Sequence, residues 1–160
     1  MGDHAAFFYG TLMAREVLYR VIYGKSNITE YHPAFARSKL LTIQDAILHN
    51  YCRHHVRHAE YPGMIPEKGH SVRGTYVTGL TDYDFFRLDW FEGSEYTMRK
   101  VRPKLLENGV ETQEVEAETY MFKYPHKLEK GVWDYEDFRK NKIHHWADDS
   151  SAYDGKSISS

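Results

Sequence analysis

Two phrases about 80 residues apart hold residue types that could do chemistry together: Phe7-Phe8-Tyr9-Gly10-Thr11-Leu12 near the start and Leu88-Asp89-Trp90-Phe91-Glu92-Gly93 in the middle. The first is an apolar run that stops at a glycine and leads straight into helical spacing. Such a strand-to-helix turn leaves backbone N–H groups without partners, and these can hold an anion. The second phrase places one carboxylate, Glu92, between bulky apolar residues and a glycine that ends a helix. A negative charge at a helix C-terminus is slightly unfavourable, which hints at a use other than helix stability. Together the phrases suggest a site that grips a carboxylate and moves protons with one acid. Asp89 and Glu95 are the rival carboxylates. Asp89 stands three residues before Glu92 on nearly the same helical face and could orient a neighbour; Glu95 falls in a loop.

Around these, Tyr96 and Tyr120 either line a cavity with hydroxyls or pack as ordinary strand tyrosines. Arg99 is equally suited to a substrate carboxylate and to a surface ion pair, and Tyr61-Pro62 could form a cavity wall. The run Cys52-Arg53-His54-His55-Val56-Arg57-His58 invites a metal reading, because Cys52, His54 and His58 share one face of a strand. Three ligands along one strand rarely converge on one ion, and no second cluster in the sequence completes a set, so no metal is expected. Cys52 is no better supported as a nucleophile. Hydrolase, phosphate-loop and dinucleotide motifs are all missing.

The elements that must position these residues follow from periodicity and turn chemistry. Residues 5–9 read as a short buried strand, and Leu12, Val17, Leu18, Val21 and Ile22 as a helix over 12–22 that stops at Gly24. Residues 26–33 are polar connector. A strand is expected over 46–56, and residues 60–66, bracketed by prolines, as an extended segment at an edge or beside a cavity. A second strand is expected over 71–80. Thr81 with Asp84 resembles a capping box, opening a helix that ends at Gly93. Residues 96–106 and 114–123 read as two strands joined across Asn108-Gly109. A last amphipathic helix is expected over 133–146, either covering a cavity mouth or forming a subunit contact. A domain of residues 1–146 and a Ser-, Asp- and Gly-rich disordered tail over 147–160 complete the chain. The sum is an α+β domain, a small mixed β-barrel of five or six strands with few flanking helices.

With 160 residues, one domain is expected, large enough for a real core. Twenty-one basic against 23 acidic residues give no electrostatic case for nucleic acid or an acidic membrane. One cysteine permits no internal disulfide, and no apolar run approaches a membrane span, so a cytoplasmic protein is expected.

Tyr9-Gly10-Thr11-Leu12, then Val72-Arg73-Gly74-Thr75-Tyr76, then Leu88-Asp89-x-Phe91-Glu92-Gly93-x-x-Tyr96-x-x-Arg99 resembles, in order and spacing, the γ-glutamylcyclotransferase-like superfamily. The branch it resembles is that of the avirulence-induced-gene-2-like (AIG2-like) proteins of plants and fungi, over roughly residues 5–146, including Trp133-Asp134-Tyr135-Glu136. The resemblance implies a small barrel with a cavity and an intramolecular acyl transfer: the α-amine of a γ-glutamyl group attacks its own γ-carbonyl, releasing 5-oxoproline. It places substrate binding on the turn at Phe8, Tyr9, Gly10, Thr11 and Leu12 and the acid/base role on Glu92; Tyr96 and Tyr120 are added as candidate substrate-binding residues from their own positions. It implies no metal or organic cofactor, and a small-molecule γ-glutamyl partner. Trp90 and Phe91 are candidates for an apolar pocket that would raise the Glu92 pKa. The chain has Thr11-Leu12 where the longer glutathione-type enzymes have Ser-Asn, so a γ-glutamyl amino acid and a γ-glutamylamine both stay open as substrates. The alternative is a binding or regulatory domain that keeps the cavity without turnover. Oligomeric state is left open.

Overall fold

The computed structural model describes residues 2–147. β1 (His4–Phe8) leads through a 3-10 turn at Thr11–Met13 into α1 (Arg15–Tyr23). The helix expected over 12–22 is therefore two pieces, because Ala14 between them is extended, with ψ 122°. α1 buries Val17, Leu18, Val21 and Ile22 and ends at Gly24. A one-turn helix, α2 (Phe35–Ser38), follows the polar connector.

β2 (Thr42–Val56) and β3 (Pro62–Leu80) then form a long antiparallel ribbon. The strands expected over 46–56 and 71–80 are parts of it. The extended segment expected over 60–66 supplies the start of β3, and the parts of the ribbon not expected, 42–45 and 67–70, are mostly exposed and so carry no apolar alternation. The ribbon shifts register between His49 and Tyr51. β1 pairs β3 only from Thr75 onward, so the Pro62–Pro66 end pairs with β2 on one side alone. That edge placement is what proline tolerates.

α3 (Asp82–Glu92) begins with the capping box: Asp84 N–H donates to Thr81 Oγ1 (3.0 Å) and Thr81 N–H to Asp84 Oδ2 (2.9 Å). It stops at Gly93, whose φ of 78° favours a residue without Cβ. The two strands expected beyond it are four: β4 (Tyr96–Val101), β5 (Lys104–Glu107), β6 (Val110–Glu114) and β7 (Ala117–Phe122). Arg102-Pro103 splits the first of them, since Pro103 has no N–H for a ladder. β4 pairs β7, while β5 crosses to β2 and pairs β6 around the Asn108-Gly109 turn. An unforeseen β8 (Leu128–Val132), nearly all exposed, pairs β2. The last helix is also two pieces, α4 (Tyr135–Asn141) and α5 (His144–Ala147).

The strand order is β4-β7-β1-β3-β2-β5-β6, with β8 on β2, in one curled, open sheet. Eight strands replace the five or six expected; the α+β class with few flanking helices stands. Pairing is antiparallel except between β1 and β7. Alternation along β1 feeds two cores: Ala6 and Phe8 face the helices, Phe7 the interior of the curl. Among the described residues no helix is long and apolar enough to cross a membrane. Past Ala147, the expected tail lies outside the described residues.

Candidate active site

β1 delivers Tyr9 and Gly10 to the end of the sheet, where the chain turns: Met13 N–H donates to Gly10 O (3.0 Å) and Ala14 N–H to Thr11 O (3.2 Å). Gly10 packs so closely on β3 that an added Cβ would lie 2.8 and 2.9 Å from Pro62 Cγ and Cδ. Only glycine fits there without moving a rigid ring. From the other side, Arg53 Nη1 donates to Tyr9 O at 2.7 Å and to Arg73 O at 3.1 Å.

α3 supplies the acid. Leu88 and Phe91 bury its inner face, and Gly93 ends the helix, leaving Glu92 half-buried at its last turn. Three tyrosines surround it. The Tyr9 hydroxyl donates to Tyr120 O (2.5 Å), the Tyr96 hydroxyl to Pro62 O (2.7 Å) and the Tyr120 hydroxyl to Asp89 Oδ1 (2.6 Å). Burial is the main reason that all three phenols titrate far above the usual tyrosine range. The charge of Glu92 raises each of them further, alongside the Asp89 hydrogen bond at Tyr120 and the neighbouring Tyr9 at Tyr96.

Phe8, Tyr9, Gly10, Thr11, Leu12, Glu92, Tyr96 and Tyr120, taken from four separate parts of the sequence, all line one cavity. Tyr61 and Pro62 line it too, with Phe91 and Trp146 closing it. Among the described lining residues, Glu92 is the one carboxylate, and there is no lysine, arginine or histidine. The cavity is narrow, about 20 Å³, room for about one water molecule.

Residues 6–140 match the family described as gamma-glutamyl cyclotransferase, AIG2-like. The chain belongs to this family. AIG2-like protein D of Arabidopsis thaliana is 26% identical over 138 residues, covering 86% of the chain and 80% of that protein. A solution structure of an Arabidopsis thaliana protein superposes with a TM-score of 0.63 at 23% identity, over 92% of this chain and 81% of that one. A gamma-glutamyl cyclotransferase superposes with a TM-score of 0.56 at 13% identity, over 79% and 68% respectively. At those identities the superpositions establish the shared fold alone.

Within this AIG2-like chain, other candidate residues lie elsewhere. Trp90 is 60% exposed and forms no part of the apolar wall expected of it, because it stands on the outer face of α3; Phe91 takes that place. Arg99 is exposed on β4 and does not line the cavity. Glu95 accepts from the Tyr61 hydroxyl (3.3 Å) and pairs with Lys127 Nζ (3.4 Å). Asp89 holds Tyr120 from outside. Sequence reasoning missed Trp146, whose indole N–H donates to Glu60 Oε1 (2.9 Å) as α5 folds back onto the cavity. It also missed that the β2–β3 pairing sets Cys52 beside Glu67 and His70, their ligand atoms all within 4.8 Å of one another. His58 is not among them. There Glu67 already pairs with both neighbouring histidines, His54 Nε2 at 3.0 Å and His70 Nε2 at 3.1 Å.

Proposed function

We propose that the chain is a γ-glutamylcyclotransferase acting on a γ-glutamyl amino acid or γ-glutamylamine, with Glu92 as its general acid/base. One observation carries this reading: the Tyr9–Leu12 turn and Glu92, distant in sequence, line the same cavity, and Glu92 is the one carboxylate among its described walls. The substrate's α-carboxylate lies against backbone N–H groups of the turn, which folds the γ-glutamyl chain back on itself. An α-ammonium with a pKa of about 8 is largely protonated at neutral pH and is not a nucleophile. The Glu92 carboxylate takes one proton from it. The amine nitrogen then bonds to the γ-carbonyl carbon, Glu92 hands that proton to the departing nitrogen as its bond to the carbon breaks, and the second proton, shed by the ring nitrogen as the lactam forms, passes by way of Glu92 to the released amine. Ring closure yields 5-oxoproline, and no redox partner or co-reactant enters the balance. Holding the two ends of one molecule together supplies much of the acceleration, and the proton transfer about 10²–10⁴-fold.

Entry of a γ-glutamyl group into so narrow a cavity requires a wall to yield. Trp146 is the wall carried on a separate four-residue helix. The test is 5-oxoproline release from a panel of γ-glutamyl amino acids and γ-glutamylamines. Native protein releases it, and Glu92→Gln lowers the rate at least about 100-fold. Equal rates would remove Glu92 from the chemistry. No release from any compound, with a folded protein, would leave a binding domain on the same fold.

A further inference from the structure

The cavity presents an electrostatic problem: an anionic substrate must settle beside Glu92, yet no cationic side chain lines the described walls. The nearest answer lies behind the binding turn. Arg53 projects from β2 on the opposite face from Cys52 and His54, and its Nη1 reaches Tyr9 O at 2.7 Å, Arg73 O at 3.1 Å and Met13 Sδ at 3.5 Å. Its guanidinium lies over the Trp133 ring, 5.3 Å from the centroid. Its Nε is sealed from solvent with no hydrogen-bond partner. Arginine remains protonated in such surroundings, although burial lowers its pKa here while Asp134 opposes that shift.

A trans peptide points its C=O and N–H in opposite directions, and among the described residues there is no cis bond. With the Tyr9 carbonyl tied to Arg53, which does not line the cavity, the N–H of the same peptide, that of Gly10, is directed away from Arg53, and Tyr9 and Gly10 both line the cavity. A cation on the carbonyl also polarises the amide and makes its N–H a better donor.

We infer that Arg53 is a positioning residue for carboxylate binding: from behind the turn, its guanidinium orients the Tyr9–Gly10 peptide and supplies the positive charge that the cavity walls lack. This rests on the proposed cyclotransferase reading for its ligand, a γ-glutamyl α-carboxylate. The carboxylate is held equally in ground state and transition state, so losing Arg53 weakens binding rather than chemistry.

The test compares native protein with Arg53→Met, Arg53→Gln and Arg53→Lys, each checked for folding by circular dichroism and thermal melting. Gln retains an N–H for the carbonyl without charge; Lys retains charge without the planar fork. In the 5-oxoproline assay, KM rises about 10- to 100-fold in Met, the loss expected of a charged hydrogen bond, with kcat within a few-fold of native. Gln behaves like Met, and Lys recovers most of the loss. A purely structural role would lower kcat through lost folded protein at unchanged KM; that pattern, or native kinetics in folded Met or Gln protein, overturns the inference. If Met does not fold, the Gln–Lys pair decides. Should native protein release no 5-oxoproline from any compound, the cyclotransferase reading fails by itself, and titration with 5-oxoproline followed on the backbone amide resonances decides the role of Arg53. The Gly10 amide shifts on titration in native protein, and its apparent Kd weakens at least about 10-fold in Gln and recovers in Lys. An unresponsive Gly10 amide, or equal affinity in all variants, overturns it.

Discussion

β2 presents similar chemistry to two unlike surroundings. On one face Arg53 meets the Tyr9 and Arg73 carbonyls and the Trp133 ring, and it buttresses a turn that packs closely on Pro62. On the other face, one residue to either side, Cys52 and His54 meet Glu67, whose side chain is 37% exposed and shared with the still more exposed His70. The second face has the more suggestive residue types and the first has the consequences. What separates them is how far the charged group itself is enclosed: the half-buried Arg53 has its Nε sealed from solvent, whereas the Glu67 carboxylate reaches solvent although Cys52 beneath it is buried. A part-buried charged bond to a backbone carbonyl is costly to lose, whereas an ion pair that reaches solvent is replaced by water at little cost.

Tightness on the enclosed face is most directly broken at Gly10. Gly10→Ala places a methyl group 2.8 and 2.9 Å from the Pro62 ring, so the turn must move by several tenths of an ångström. Misplacement at a binding turn can cost about 100-fold, and this is the loss expected in 5-oxoproline release, together with a lower melting temperature. Gly10→Ala with Pro62→Ala removes the obstruction and should recover part of both. Native activity in Gly10→Ala would mean that the turn tolerates displacement, and the contrast between the two faces would lose its basis.

The same contrast governs what the sequence could reveal. Tyr9-Gly10 and Glu92-Gly93 were legible because each is local: an apolar run, a glycine stop and a capped helix can be read within a dozen residues. Arg53 was not, because its role depends on the register that lays Arg53 against Met64 and brings β3 beside β1. Trp146 could be read as an apolar helix residue but not as a cavity wall, since that depends on how α5 folds back to Glu60. β8 carries no apolar alternation and forms because β2 offers it a free edge. Reading the histidine run along one strand missed the cross-strand approach of Glu67 and His70, which again is a matter of register.

Alkaline pH sharpens the comparison at a smaller scale. Tyr9, Tyr96 and Tyr120 have phenols raised first by burial and then by neighbours including Glu92. A group that holds its proton more tightly when folded contributes stability that is fully present below its unfolded pKa, about 10 for tyrosine, and is lost as pH rises toward the folded value. The cavity that these tyrosines line therefore becomes a liability above about pH 10, where unfolding releases three phenolic protons that the fold retains. Tyrosinate absorbance from these residues should develop together with loss of the circular dichroism signal, and Tyr96→Phe should flatten the alkaline fall in stability. If the Tyr96 contribution, taken as native minus Tyr96→Phe, ionises while the protein is still folded, the cavity is wetter than its hydrogen bonds imply.

The smallest effect belongs to the exposed face. The His54 hydrogen bond is the first cause holding the Glu67 carboxyl below its ordinary range, with the His70 charge adding to it. A depressed carboxyl contributes stability present above its unfolded pKa, about 4.3, and lost as pH falls through the lower folded value. The Glu67 carboxylate and its His70 partner reach solvent and are screened by it, so Glu67→Gln should produce only a slight flattening of the acid limb of a stability–pH curve, and high salt should reduce it further. The rate of 5-oxoproline release should be unchanged, because nothing on that face touches the Tyr9 carbonyl. A substantial fall in that rate would show that strain passes through the strand from Cys52 and His54 to Arg53. The two faces would then be one coupled device, and the ion pairs at the rim would have to be counted as part of the site.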